Sequence, residues 1–197
     1  MGPAMGVRRS RLLPILALLL TVAVAPVTAV SGVTSLDGTP VDPFAVPRGL
    51  RARVLVFTTT DCPISNRYAP ELTRLAAQFK ARGVEFWMVY PVPGDSPERI
   101  RAHVGRFGVQ LPVARDTRGT LVKRTGVTVT PEVAVISASG QVVYRGRIDD
   151  RFTDFGIDRP SPRTRDLDQA LTQLLAGQPI VPASTRAVGC FLPDLLK

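Results

Sequence analysis

Two cysteines carry the chemistry that this sequence offers. Cys62 is followed by Pro63 and, three positions on, by Ser65, while Cys190 stands near the carboxyl end. A thiolate is a nucleophile and a metal ligand, and two thiols exchange electrons with a partner by forming and breaking a disulfide. Two cysteines are too few for a disulfide scaffold or a structural zinc site, and the single histidine, His103, excludes a centre with several histidines. The sequence therefore indicates sulfur chemistry, and we expect no cofactor and no resident metal.

The elements around Cys62 predict that it stands at the junction of a strand and a helix. Residues 53–58 are mostly β-branched or aromatic and predict a short buried strand. The segment Pro63–Arg82 has apolar residues at helical spacing, and Gly83 is a suitable C-cap. At the start of such a helix, backbone N–H groups and the helix dipole favour a thiolate.

The rest of the chain continues this α/β pattern. A second buried strand is predicted over residues 84–90, and strand, helix and strand in that order imply a right-handed parallel crossover. The other predicted elements are a helix from Pro97 to Phe107, a short strand over 111–115, a short helix over 119–125, two strands over 132–137 and 141–147 joined as a hairpin, a polar loop over 149–165 and an amphipathic helix over 167–175.

The segment from Phe57 to Ser65 resembles the active-site region of thioredoxin-like redox proteins, in which an aromatic strand end leads into Cys-Pro-x-Cys. Ser65 here replaces the second cysteine. Residues 111–116 and 119–127 resemble the region before the cis-proline of the redoxin superfamily (AhpC/TSA-like and TlpA-like proteins). Residues 130–136 resemble the cis-proline strand of periplasmic thiol-disulfide oxidoreductases.

Residues 61–71 also resemble a subgroup of exported bacterial redoxins that have a Cys-Pro-Ile-Ser site and a Gly-Cys near the carboxyl end. The resemblance covers residues 50–176 and implies a thioredoxin-like three-layer α/β fold, with a central mixed sheet and helices on both faces. Without the short strand over 111–115 and the short helix over 119–125, the predicted order is β-α-β-α-β-β-α, which agrees with it. We expect the thioredoxin-like domain over residues 51–178 and a tail over residues 179–197 that carries Cys190.

The resemblance also implies roles for individual residues. Cys62 is the expected reactive thiol, and a cis bond between Thr130 and Pro131 is expected to face it and to present the Thr130 backbone to an extended thiol substrate. The alternative for Pro131 is the start of an edge strand. Ser65 cannot resolve a mixed disulfide, although its hydroxyl can donate to a thiolate. Cys190 is the one internal thiol left to resolve Cys62, within one chain or between two; a structural disulfide that pins the tail, or two unrelated thiols, are the alternatives.

Two enzymatic activities are compatible with this pattern. Thiol-disulfide exchange with protein thiols or disulfides is favoured. A peroxiredoxin-like thiol peroxidase, acting on a peroxide, is the alternative, because Thr59 matches the threonine of the peroxidase signature. However, the leading proline of that signature is replaced by Leu55, and Pro131 stands where peroxiredoxins carry an arginine. Arg67 and Arg115 are the candidate substitutes for that arginine.

A non-enzymatic Cu(I)-binding module is a third hypothesis. Thiolates suit Cu(I), so Cys62 and Cys190 together with His103 make a conceivable ligand set. The position of His103 on an amphipathic helix predicts instead a surface residue. The polar loop after the hairpin carries three carboxylates, Asp149, Asp150 and Asp154. We expect a solvated, turn-forming loop there and assign its carboxylates no catalysis.

The amino terminus predicts export. Arg8, Arg9 and Arg11 precede an apolar stretch over residues 12–25, the pattern of a signal peptide over residues 1–29, with an irregular lead-in over residues 30–50. An uncleaved membrane anchor is the alternative, because about 20 apolar residues cross a bilayer. Both interpretations deliver the domain to the periplasm or cell envelope, where a disulfide persists.

The net charge does not indicate a nucleic-acid partner. The chain has 25 Lys and Arg against 16 Asp and Glu, a formal charge of +9. These basic residues are scattered, and no basic run is interleaved with aromatic residues as nucleic-acid-binding surfaces require. The sequence leaves the oligomeric state open.

Overall fold

The structure, a computed structural model, describes residues 1–2 and 32–192. Apart from its first two residues, the predicted signal peptide lies outside this part of the chain, as do its cleavage site at Ala29 and the end of the tail. Within the described ranges, no helix combines the length and the apolar character that a membrane crossing needs.

The predicted α/β class is confirmed. The strands are β1 (Ala52–Phe57), β2 (Val84–Tyr90), β3 (Val113–Arg115), β4 (Val129–Thr130), β5 (Glu132–Ser137), β6 (Val142–Gly146), β7 (Phe152–Asp154), β8 (Ile157–Asp158) and β9 (Cys190–Phe191). The helices are α1 (Pro63–Arg67), α2 (Ala69–Lys80), α3 (Pro97–Arg106), α4 (Thr120–Thr125) and α5 (Asp166–Leu175).

The central sheet has five strands in the order β3-β2-β1-β5-β6. Strands β1, β2 and β3 are parallel, whereas β5 runs antiparallel to both β1 and β6. Because side chains alternate along a strand, β1 buries Val54 and Val56 in a core with α1, α2, α3 and α5, and Leu55 and Phe57 in a second core with α4 and the lead-in segment. The result is a mixed sheet with helices on both faces, as the resemblance implied.

The predicted helix over Pro63–Arg82 is two helices, α1 and α2, which meet at Tyr68. Pro70, in the first turn of α2, has no N–H to continue the hydrogen bonds of α1, and this accounts for the break. Tyr68 is buried at the junction, and its hydroxyl donates to Asp149 Oδ1 over 2.5 Å.

The expectation of a solvated loop over residues 149–165 is wrong for two of its carboxylates. Asp149 and Asp150 are buried, and the loop contains the short hairpin formed by β7 and β8. Asp150 Oδ1 accepts the backbone N–H groups of Arg163 and Thr164 at 2.6 and 2.9 Å. These carboxylates satisfy hydroxyl and backbone donors that the folded loop removes from water, so their role is structural.

The approach to β4 depends on Asp116, which follows β3 and is fully buried. Its carboxylate accepts the N–H groups of Thr120, Leu121 and Val122 at 2.7, 2.8 and 3.0 Å, the donors at the start of α4. Burial raises the pKa of Asp116 to about 6, although these N–H groups act in the opposite direction. Asp116 thus fixes the helix that leads into β4.

Replacing Asp116 with alanine is expected to lower the free energy of unfolding by about 2–3 kcal/mol, because buried N–H donors lose their acceptor. Denaturant titration followed by circular dichroism measures the change. Asp37→Ala is the matched control, since Asp37 is exposed, and its expected effect is within about 0.5 kcal/mol. Equal effects of the two substitutions would contradict this account of Asp116.

Candidate active site

Cys62 occupies the turn between β1 and α1. It is the N-cap residue of α1, with φ −80° and ψ 110°, and Pro63 takes the first helical position. Proline suits this position because its missing N–H would have no partner inside the helix. The carbonyl of Cys62 accepts the N–H of Asn66 at 3.1 Å. The strand end and this short helix therefore fix the thiol at the carboxyl end of the central strand.

Thr130 faces Cys62 from the end of β4. The Sγ–H group of Cys62 donates to the carbonyl oxygen of Thr130 over 3.0 Å. The peptide bond between Thr130 and Pro131 is cis. Cys62 is 1% exposed and Thr130 is fully buried, so this contact is closed to solvent.

The tail brings Cys190 to the same place. Strand β9 pairs antiparallel with β4, and in that register Cys190 lies opposite Thr130 and Phe191 opposite Val129. The Cys190 side chain lies near the Cys62 sulfur and lowers the pKa of Cys62. Both cysteines are free thiols in this structure. Two sulfurs far apart in sequence thus meet within one chain.

The tail reaches this position along the edge of the central sheet. The N–H of Arg145, in β6, donates to the carbonyl of Ala183 over 3.1 Å, and the N–H of Thr185 donates back to the carbonyl of Arg145 over 3.0 Å. The Thr185 hydroxyl also lies 2.8 Å from that of Tyr144. These bonds hold the segment before β9 against β6 and direct Cys190 toward Cys62.

Gly189 allows the tail to approach Thr130. A Cβ atom at position 189 would lie 2.1 Å from the Thr130 carbonyl oxygen and 2.6 Å from its carbonyl carbon. Both atoms belong to the backbone and cannot rotate away. Only glycine therefore fits where β9 lies against the bond between Thr130 and Pro131.

The surroundings shift the pKa values of the two thiols in opposite directions. Burial raises the pKa of Cys62, but hydrogen bonds from the Cys190 side chain, from the Ser65 side chain and from both backbones lower it below its ordinary value. Burial raises the pKa of Cys190 to about 12, and its hydrogen bond to Cys62 and the charge on that sulfur act in the same direction. Cys62 therefore loses its proton at a lower pH than Cys190. The Cys190 thiol stays protonated and can donate a hydrogen bond to the Cys62 thiolate.

Three buried hydroxyls belong to the segments next to this sulfur pair. The side-chain oxygens of Thr58, Ser65 and Thr130 are buried and make no hydrogen bond to another described residue in the thiol form. Donation from the Ser65 hydroxyl to the Cys62 thiolate lowers the pKa of Cys62. An unpartnered buried hydroxyl is costly, so Ser65 gains its partner when the thiolate forms.

The Ser65→Ala variant tests this hydrogen bond. We expect the pKa of Cys62 to rise, because the thiolate loses a donor. The exchange rate at neutral pH is expected to fall about tenfold, since a hydrogen bond to a charged group contributes about 1.5 kcal/mol. Ultraviolet absorbance of the thiolate across a pH titration measures the shift, and Ser65→Thr keeps the hydroxyl as the control. An unchanged titration in Ser65→Ala would exclude Ser65 as a donor.

The residues singled out for peroxide chemistry have other contacts. The backbone carbonyl of Thr59 accepts the N–H of Cys62 at 3.5 Å. Arg67 forms a bidentate pair with Asp158, and Arg115 donates from Nε to the backbone carbonyl of Asp95. Both guanidinium groups thus have partners outside the sulfur pair.

The expectation that His103 is a surface residue is wrong. Its side chain is buried on α3, and burial lowers its pKa. One ring nitrogen, Nδ1, lies 2.9 Å from the Tyr90 hydroxyl, and the other, Nε2, lies 2.6 Å from Asn66 Oδ1. Both ring nitrogens are therefore engaged. In the described part of the chain, no group of three or more Cys, His, Asp or Glu side chains is arranged to hold a metal ion.

Glu132 is a supporting residue that the pattern analysis did not single out. It is buried at the start of β5, and its carboxylate accepts the N–H of Thr128 at 2.8 Å and that of Val129 at 3.4 Å. Arg145 lies 3.7 Å from its other oxygen. The sequence feature that could have identified Glu132 is its charge, because it directly follows Pro131 and begins an otherwise apolar strand. Glu132 fixes the loop that carries Thr130.

Comparison with known proteins identifies a relative for part of this chain. The thiol-disulfide oxidoreductase ResA of Halalkalibacterium halodurans is 28% identical over 90 residues, which are 45% of this chain and 49% of that protein. The chain thus spans about half the length of this curated relative.

Two solved structures share the fold. An uncharacterised conserved protein from Geobacillus kaustophilus is 26% identical, with a TM-score of 0.68, over 81% of this chain and 86% of its own. A secreted Mycobacterium tuberculosis disulfide oxidoreductase homologous to E. coli DsbE is 21% identical, with a TM-score of 0.50, over 73% of this chain and 92% of its own.

The family assignment follows from the extent of the sequence match. The family model described as Redoxin matches residues 24–158, which is more than half of the chain. This match includes β1, Cys62 and the Thr130–Pro131 bond, and it ends before the tail that brings Cys190 to them. This protein belongs to the redoxin family.

Proposed function

We propose that this protein is a thiol-disulfide oxidoreductase whose redox pair is Cys62 and Cys190 of one chain. The observation that carries the proposal is the meeting of the two sulfurs beside the Thr130 carbonyl, with β9 paired to β4. The similarity to ResA supports the same class of reaction. The proposed substrates are thiols or disulfides of other proteins.

The proposed reaction moves two electrons in two steps. The Cys62 thiolate attacks one sulfur of a substrate disulfide, and the other substrate sulfur leaves as a thiolate. Cys190 then loses its proton and attacks Sγ of Cys62, which releases the second substrate thiolate and leaves a disulfide between Cys62 and Cys190. The substrate is reduced and the protein is oxidised. A protein dithiol then reduces this disulfide and restores both thiols.

The remaining site residues assist this exchange. Ser65 donates to the Cys62 thiolate, and the carbonyl of Thr130 holds the Cys62 thiol in the reduced state. This carbonyl belongs to the cis bond between Thr130 and Pro131. Because β9 covers Thr130 and Cys62, we propose that the tail lifts when a disulfide substrate binds, and that the backbone of Thr130 then contacts the extended substrate.

The proposed location is the periplasm or cell envelope. The arginines before the apolar stretch over residues 12–25 support export, and one structural neighbour is described as secreted. The division into a signal peptide over residues 1–29, a lead-in over 30–50, a domain over 51–178 and a tail over 179–197 is part of this proposal.

The Cys190→Ser variant tests the resolving role. Multiple-turnover reduction of a protein disulfide is expected to fall to the uncatalysed rate when no small thiol is added, because Cys62 remains trapped as a mixed disulfide. Mass spectrometry of the variant is expected to find the substrate attached to Cys62. Ser184→Ala, an exposed position on the same tail, is the control and should keep turnover. Full turnover by the Cys190→Ser variant would show that Cys190 does not resolve the mixed disulfide and would leave it only a structural role.

A further inference from the structure

The two sulfurs of the redox pair differ in their access to solvent. Cys62 is 1% exposed, beneath the Thr130 carbonyl and the docked tail. Cys190 is half-buried and lines a cavity of about 640 Å³. Tail residues 186–191 line this cavity together with Val129 and Phe155. An incoming group of peptide size therefore meets Cys190 first.

The docked tail is held firmly over Cys62. Strand β9 is paired with β4, the N–H of Leu192 donates to the carbonyl of Thr128 over 3.1 Å, and Gly189 lies against the Thr130 backbone. Reaching Cys62 directly requires these contacts to open. Reaching Cys190 through the cavity requires none of them to open.

We propose, building on the function above, that when the pair is oxidised the reducing dithiol attacks the sulfur of Cys190 and not that of Cys62. The partner thiolate forms a bond to Cys190 Sγ, the bond between Cys190 and Cys62 breaks, and Cys62 leaves as a thiolate. The second thiol of the partner, once deprotonated, attacks the partner sulfur held by Cys190 and releases the Cys190 thiolate. The partner becomes a disulfide, and both cysteines are reduced after Cys190 takes up a proton.

The chemistry of the leaving group favours this direction. In thiol-disulfide exchange the thiol of lower pKa is the better leaving group. Hydrogen bonds from Ser65 and from the backbone stabilise the Cys62 thiolate, whereas burial raises the pKa of Cys190. Attack at Cys190 expels the Cys62 thiolate, which is stabilised. Attack at Cys62 would expel the Cys190 thiolate, which is the poorer leaving group. Access and the stability of the leaving group thus both favour attack at Cys190 Sγ.

This arrangement separates two roles in one cycle. Cys62 is the nucleophile that attacks the substrate disulfide, and Cys190 is the sulfur that the reducing partner meets. The aromatic side chains of Phe155 and Phe191 are 63% and 87% exposed beside the cavity. They flank the path along which a protein dithiol approaches Cys190.

The experiment locates the first bond that an external thiol forms. The full-length oxidised protein is mixed briefly with glutathione, which has one thiol and cannot complete the second step. The reaction is quenched with acid, free thiols are blocked with a maleimide, and peptides are mapped by mass spectrometry. We expect glutathione on Cys190 and maleimide on Cys62, in at least about tenfold excess over the reverse pattern. Glutathione found chiefly on Cys62 would overturn the proposal and leave the redox pair itself intact.

Two further results distinguish a failure of this inference from a failure of the proposed function. In Gly189→Ala, the clash with Thr130 is expected to lift the tail and raise the share of glutathione on Cys62, while Gly105→Ala, whose Cβ meets nothing within 4 Å, keeps the original pattern. An unchanged pattern in Gly189→Ala would mean that docking does not set the point of attack. Oxidation that never joins Cys62 to Cys190 would overturn the proposed function and this inference together.

Discussion

Replacing Cys62 with serine is expected to reduce catalysed thiol-disulfide exchange to the background rate. A serine hydroxyl is not a nucleophile at neutral pH, and no other described cysteine has a lowered pKa. The measurement is the reduction of a protein disulfide by a dithiol, with and without the variant. The free energy of unfolding is expected to change little, because serine is close in size to the buried cysteine.

Cys190→Ser is the matched control for this variant. It keeps the nucleophile and is expected to perform a single attack, which leaves the substrate bound to Cys62, whereas Cys62→Ser is expected to retain no substrate. If the Cys62→Ser protein retained half or more of the catalysed rate, the role assigned to Cys62 would be wrong. If it lost peroxide reduction but kept disulfide exchange, the peroxidase alternative would replace the present proposal.

Gly189→Ala is expected to have the second largest effect, because it undocks the tail without altering either sulfur. The added Cβ would overlap the Thr130 carbonyl oxygen at 2.1 Å. Relief of this overlap requires β9 to move from β4. Maleimide labelling of Cys62 in the reduced protein is expected to accelerate about tenfold or more, since a factor of ten needs only about 1.4 kcal/mol of lost docking energy.

The control for this variant is Gly105→Ala, a helical glycine whose added Cβ meets open space. It is expected to label at the rate of the original protein. Multiple turnover by Gly189→Ala is expected to fall as well, because Cys190 is no longer held beside Cys62. Equal labelling of Cys62 in both variants would show that the tail does not restrict access to it.

Much of the sheet and the position of Cys62 could be predicted from local patterns. The run of apolar residues in β1 is buried along its whole length, and such runs predict central strands. The junction of β1 with α1 follows from Thr59 to Pro63, where a polar turn precedes a proline at a helix start. These features depend on neighbours in sequence, so the sequence displays them.

The docking of the tail could not be predicted in the same way. Strand β9 has two residues, Cys190 and Phe191, too few for an alternating pattern to be recognised. Its partner, β4, lies far away along the chain. Gly189 leaves room for the Thr130 carbonyl, a contact that the residues around it in sequence do not indicate. Only the three-dimensional structure places these atoms together.

Buried polar residues were mispredicted for a related reason. His103 lies on an amphipathic helix, but its two hydrogen-bond partners, Tyr90 and Asn66, come from other elements. Asp149 is similarly paired with a residue of another element, because its carboxylate accepts a hydrogen bond from Tyr68 at the carboxyl end of α1. A single helix or loop shows the polarity of such residues but not the partners that permit their burial.

Mass mapping of the disulfide state tests the central claim most directly. The full-length protein, purified under oxidising conditions and blocked with a maleimide before proteolysis, is analysed without reduction. We expect one linked peptide pair that joins Cys62 to Cys190, in a protein that runs as a monomer on a denaturing, non-reducing gel. Maleimide on both cysteines after exposure to a disulfide substrate, or a link from Cys62 to a second chain, would contradict the account.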